Sequence, residues 1–226
     1  MDLHSTSSIK AVTEAFGLFA ALFGAPLEKA DIEAIRQPID AGGLAALARI
    51  ATFRSDVATL TAIVRGLGDA ETALVQLNRA FCLLFLGAGG IHGAAPYESA
   101  YRCSGRLYQE PAGEMMVLLA QRGRQPAEGF PEAPDHLVIE LALLEEALAP
   151  ESGSPSDDDA ATAKALIARL RHWVPDFAAA CRAHDPTGFY AGAADLLVRL
   201  LGQDIDVRGS PHSARPGGPG SEKLQR

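Results

Sequence analysis

The sequence predicts an all-α chain, and three observations carry that prediction. Apolar residues recur at i, i+3, i+4 and i+7 along most of the chain to about residue 203. No stretch alternates apolar and polar residues over strand length, and β-branched residues are scattered. Of 226 residues, 48% are hydrophobic and 21% charged, enough apolar material for one core. The periodicity predicts helices over 8–24, 28–39, 43–51, 54–66, 69–86, 111–122, 134–149, 158–184 and 188–203, packed as a single-domain bundle.

The first helix needs a check, because "FGLFAALFGA" at 16–25 could pass for the apolar part of a signal peptide. Lys10 is the only Lys or Arg before it, Asp2 and Glu14 flank it, and Val12, Ala15, Phe16, Phe19, Leu22 and Phe23 follow helical spacing. It reads as the first helix of a cytoplasmic protein. No run approaches the roughly 18 apolar residues of a membrane span, so stable membrane insertion is not expected. Asp69 suits the N-cap of the fifth helix, with Thr72 and Ala73 in the first turn and Leu74, Leu77, Phe81, Leu84 and Phe85 on one face. In 134–149, Pro134 suits the first turn, Asp135 the positive end of the dipole, and Leu137, Leu141, Leu144 and Leu148 form a stripe. "PESGSPSDDD" at 150–159 reads as a solvated loop whose aspartates start the next helix. The last stretch, 208–226, is Pro, Gly, Ser and charge, and reads as a disordered tail after a folded unit of residues 1–207.

Net charge is −8, with no Lys/Arg cluster, which excludes nucleic acid as a partner and is compatible with a basic peptide. Cys82, Cys103 and Cys181 form no CxxC pair, as in a reducing compartment; Cys82 and Cys181 read as small core residues.

The segment "FLGAGGIHGAAPYESAYR", 85–102, resembles a phosphate loop only superficially. Gly87 and Gly89 begin a G-x-G-x-x-G pattern, but His92 stands at its third glycine and a helix precedes it; a P-loop would need Lys. A mechanical reading is simpler. Gly87 ends the helix, the other glycines let the chain double back over the core, and Pro96 stiffens an extended stretch that fixes Tyr97. Tyr97 then either grips an apolar peptide or plugs the gap under the loop.

A second constellation lies at 132–148. His136 and Glu140 stand four apart, either as a metal half-site lacking a third ligand or as a cap plus a surface pair. His136 with Asp135 could be an acid/base pair, but no nucleophile or oxyanion donor accompanies them.

Taken in order, "AFCLLFLG", the glycine loop, "APYESAY", "PDHLVIELALLEEAL" and the closing "WVPDFAAACRAHDPTGFYAGAADLLVRLLGQD" resemble the TorD/DmsD/NarJ group of all-α cytoplasmic chaperones, over most of 9–205. The chain departs from that pattern at Gly87-Ala88, where Gly-Pro is frequent, in the reduced lead-in "GAAP", and at Ala80, where an acidic residue commonly precedes the aromatic. The resemblance implies a chaperone that binds the twin-arginine signal peptide of a molybdenum-cofactor reductase and holds the precursor until its cofactor is inserted. It implies a peptide-binding region of Pro96, Tyr97, Glu98, Ser99, Asp135 and His136, supported by Tyr101 and Glu140. It implies no catalysis and no cofactor or metal of the chaperone's own, in a monomer or homodimer. On this reading Glu98 and Asp135 stand hydrated at the rim of an apolar groove and meet the leader's arginines. Two alternatives remain: a metal-dependent or hydrolytic helical enzyme using His136, Glu140 and His92, or a structural helical subunit of a larger complex.

Overall fold

A computed structural model describes residues 6–37, 43–125, 132–149, 155–205 and 207. All regular structure among them is helical: α1 (Thr6–Gly24), α2 (Lys29–Arg36), α3 (Gly43–Arg49), α4 (Arg54–Gly66), α5 (Ala70–Phe85), α6 (Glu98–Arg102), α7 (Glu110–Gln121), α8 (Leu137–Leu148), α9 (Asp157–His184) and α10 (Phe189–Leu201). Two short 3-10 turns, Ala51–Phe53 and Gly90–His92, complete the order. The all-α expectation therefore holds. The expected tail 208–226 and the first half of the loop, 150–154, lie outside the described residues, and Asp157, Asp158 and Asp159 start α9 as expected.

Helix α8 is the axis of the bundle. It packs against α1 on one side and α9 on the other, while α10 pairs with α9 and reaches α4. Its sequence explains that position, because an apolar residue stands on every side of it: Leu137, Ile139, Leu141, Leu143, Leu144, Ala147 and Leu148 are all buried. The stripe of α1 read from the sequence is buried too, each residue 2% exposed or less. Between these helices the aromatics interlock. Phe23 meets Phe177 edge-on at 5.2 Å, Phe85 meets Phe81 and Tyr190 at 5.2 Å each, and Tyr101 stacks on Trp173 at 5.7 Å. Each such ring contributes roughly 1.5–3 kcal/mol by burial alone.

Local signals set most helix ends. The Asp69 carboxylate accepts from Thr72 N at 2.8 Å, the expected cap of α5. Ser156 and Asp159 cap α9 reciprocally, and hydrogen bonds from Ser156 and Arg122 hold the Asp159 carboxyl down at about 2 against a weaker upward push from burial. Gly87 ends α5 at φ +75°. The chain then doubles back closely: Gly89 N donates to Leu83 O at 3.1 Å and Ala94 N to Leu84 O at 2.7 Å. A Cβ on Gly89 would stand 2.5 Å from Leu83 O, so only glycine fits there.

One boundary is corrected. Helix α8 begins at Leu137, not at 134, and Pro134 and Asp135 lie in the turn before it. His136 is its N-cap. The short α6 was not visible as periodicity, since five residues make little more than one turn.

Candidate functional site

Two extended pieces of chain cross where α6 and α8 begin. Pro96-Tyr97 runs antiparallel to Asp135-His136, forming an isolated bridge between Tyr97 and His136. Glu98 N donates to Asp135 O at 3.1 Å and Leu137 N to Pro96 O at 2.8 Å. Tyr97 and His136 thus form the non-hydrogen-bonded pair, whose side chains approach most closely. Their rings meet edge-to-face at 4.8 Å and 86°. The crossing brings Pro96, Tyr97, Glu98, Ser99, Asp135 and His136 together, although 36 to 40 residues separate the two stretches in sequence.

Extended backbone sends successive side chains to opposite sides. Tyr97 stays half-buried, and its hydroxyl donates to the half-buried Glu132 carboxylate. Burial and that hydrogen bond raise the Tyr97 hydroxyl, which stays protonated. The mostly exposed Tyr108, held at φ +56° in the loop before α7, stands nearby. His136 lies on the same side as Tyr97 but is only 5% exposed. Its Nδ1 accepts from Val138 N at 3.1 Å, which requires the neutral ring. Burial pushes its pKa down to about 4, against a weaker upward pull from Glu132 and Asp135.

The two acids turn inward. Asp135 is fully buried, and its Oδ2 accepts from Ser99 N at 2.8 Å, capping the first turn of α6 from a distant segment. Ser99 is buried as well. Glu98, also fully buried, takes a 2.5 Å bond from Arg102 Nη1 and an ion pair from Arg169 of α9. The expectation that Glu98 and Asp135 stand hydrated at a rim is therefore corrected. A residue that starts a short helix beside a crossing strand has its side chain directed into the bundle.

Glu140 is corrected in the same way. It is not part of a surface pair or a metal half-site with His136. It is fully buried, taking a 3.2 Å hydrogen bond from Trp173 Nε1 and facing Arg169 Nε at 3.4 Å. Burial first, and the neighbouring Glu98 charge second, raise its carboxyl well above the usual range; Arg169 and Trp173 oppose this. Tyr101, the other supporting residue, stacks on the same Trp173. His92 sits elsewhere, its ring 5.4 Å from that of His184. Among the described residues, no group of three His, Cys, Asp or Glu side chains is placed to hold a metal. No helix among them is long and apolar enough to cross a membrane.

Glu132 and Arg169 were not singled out from the sequence. Glu132 carried a weak signal, a carboxylate three residues before Asp135. Arg169 carried a better one: it stands three after Leu166 and four before Trp173, a core-facing position for a charged residue.

The accessible part of this arrangement is small: the Tyr97 ring, the Glu132 carboxylate and the neighbouring Tyr108. A carboxylate beside aromatic faces suits a cation that carries apolar neighbours. Comparisons with known proteins give this surface its context. The family model described as nitrate reductase delta subunit matches residues 45–179. Chaperone protein TorD of Vibrio parahaemolyticus is 32% identical over 199 residues, 84% of this chain and 91% of the relative. The protein of the same name from Escherichia coli is 35% identical over 159 residues, covering 66% and 75%. That of Salmonella arizonae is 31% identical over 188 residues, covering 82% and 86%. Among solved structures, none matches significantly. An all-helical bundle, a family match that spans the crossing of Tyr97 and His136, and similarity along most of the chain to proteins named as chaperones agree: the chain belongs to the nitrate reductase delta subunit family, among its TorD-type chaperones.

Proposed function

We propose that this chaperone acts in the cytoplasm on the apo precursor of a molybdenum-cofactor reductase, binds its twin-arginine signal peptide, and releases it for export after cofactor insertion. The observation that carries the reading is the outward-facing group of Tyr97, Glu132 and Tyr108 at the crossing of two chain segments. A leader peptide presents arginines next to an apolar stretch. The Glu132 carboxylate, oriented by the Tyr97 hydroxyl, would meet a guanidinium, and the tyrosine rings would cover the apolar part. Pro96, His136, Asp135, Ser99 and Glu98 would hold this surface in shape from beneath. Binding of this kind makes and breaks no covalent bond, so no catalytic role is assigned to any residue. The folded unit is proposed to be residues 1–207, as a monomer or homodimer.

Calorimetric titration tests this with a synthetic peptide carrying an Arg-Arg pair followed by roughly ten apolar residues. Saturable one-to-one binding that Tyr97→Ala weakens is the expected result. A peptide with both arginines replaced by glutamine should bind more weakly. Equal affinity of wild type and Tyr97→Ala would remove the crossing from the site.

A further inference from the structure

We infer that Arg169 is a positioning residue for the peptide surface: from α9 it fixes, from beneath, both chain segments whose crossing presents Tyr97 and Glu132. This rests on the reading of that crossing as the peptide site.

Four attachments carry the inference. The Arg169 guanidinium pairs with Glu98, the residue after Tyr97. Its Nε faces Glu140, one turn into the helix that His136 caps, at 3.4 Å. Nη1 reaches Glu114 at 2.7 Å, and Nη2 donates to Pro111 O at 2.8 Å, both on α7. One side chain on α9 thus holds α6, α7 and α8. A guanidinium is suited to this, because its planar fork keeps five donors in fixed directions. Arg102, bonded to Glu98 and 3.9 Å from Glu114, balances charge at the α6–α7 end of the cluster. Glu98 and Glu140 are both fully buried, so neither can move to a hydrated alternative without rearranging the core. The Tyr97–His136 bridge has only two backbone hydrogen bonds of its own. An isolated bridge that short does not fix its own geometry; the charged cluster behind it does.

The consequence is that peptide affinity depends on the shape of the Arg169 contacts and not only on their charge. Arg169→Lys keeps the charge but cannot span four acceptors. It is expected to stay folded and lose at least about tenfold in affinity for the Arg-Arg probe peptide, the effect of one lost contact. A triple variant, Glu98→Gln with Glu140→Gln and Arg169→Met, removes the charge imbalance that Arg169→Met alone would leave. It is expected to melt near the wild-type temperature while still binding about tenfold more weakly. Trp173 is the only tryptophan and is bonded to Glu140, so its emission checks that the cluster remains packed in each variant.

Wild-type affinity in folded Arg169→Lys, or affinity losses that merely follow the unfolded fraction in both variants, would overturn the positioning role. The Tyr97→Ala variant separates that failure from failure of the site itself. If Tyr97→Ala weakens binding and the Arg169 variants do not, only the positioning inference falls. If Tyr97→Ala binds as wild type does, or wild type binds no probe, the peptide site falls and the inference with it.

Discussion

Tyr97 and Glu98 are neighbours in the chain and opposites in the fold. Tyr97 is half-exposed, touches His136 and Glu132, and can be approached from solvent. Glu98 has no exposed surface and is surrounded by Arg102, Arg169 and the α7–α9 framework. Across the bridge His136 and Asp135 are both buried, His136 against the Tyr97 ring and Asp135 against the Ser99 amide. One layer is chemistry available to a partner, and the other is buried charge that keeps that layer in place. A pair of acidic residues near an aromatic is therefore weak evidence for a cation-binding rim until the direction of each side chain is known.

The strongest test of this division lies in the buried layer. Glu140→Ala leaves Arg169 Nε and the Trp173 indole without an acceptor inside the core, and is expected to cost about 3 kcal/mol or more of stability. Glu140→Gln keeps an acceptor for Trp173 and nearly the same side-chain volume, so no cavity and no unpaired indole N–H is left in the core. It should cost far less, and urea unfolding of the two variants would show it. Equal losses would mean that the Glu140 charge, not its acceptor, matters.

In the outer layer the effect should fall on binding instead. Tyr97→Ala is expected to weaken the probe peptide by about 2 kcal/mol, roughly thirtyfold, with helicity unchanged in circular dichroism. Loss of helicity with intact affinity of the folded remainder would place Tyr97 in the buried layer after all.

His136 sharpens the comparison through pH. Its pKa is about 4 folded and 6.5 as the ordinary value, so the unfolded chain binds more protons between these. Its contribution is full above about 6.5 and is lost as pH falls toward 4. Glu140 runs the other way: its raised carboxyl favours the folded state at acid pH, and that contribution fades as pH rises. The two contributions oppose each other, so the His136 slope is partly offset where Glu140 also titrates. His136→Asn keeps a capping acceptor and should reduce the acid loss between pH 6.5 and 4, read as melting temperature against pH. An unchanged profile would show that His136 is not the group responsible.

Glu132→Gln should have a smaller effect, about 0.2–1 kcal/mol of peptide affinity, and should flatten the salt dependence of binding. A salt-insensitive wild type would remove Glu132 from cation recognition. Smallest of all, Met116→Gln on the exposed face of α7 should change stability and affinity by less than about 0.5 kcal/mol. A larger affinity loss would extend the outer layer onto α7.

Much of this molecule was legible in the sequence. Helical spacing located nine of the ten described helices and the faces of α1 and α8, because apolar periodicity is a local property. Asp69 and Gly87 gave the ends of α5, since caps and left-handed residues act within a few positions. The motif residues identified by resemblance do meet at one place. What stayed illegible was their direction. Pro134 and Asp135 looked like a helix start, yet Asp135 caps α6 instead, a preference set by a segment about 36 residues away.

By itself, then, the sequence determined an all-α bundle, its helix faces, the closure of the glycine loop and the family. Each follows from spacing and residue type over short range. Only the tertiary structure decided that Glu98, Asp135 and Glu140 are buried while Tyr97 and Glu132 face outward. Burying those carboxylates is tolerable only where distant donors meet them: Arg169 and Trp173 of α9 for Glu98 and Glu140, and the Ser99 amide for Asp135. No local pattern announces a partner brought in by folding, and that partner decides whether a charged side chain supports the surface or forms it.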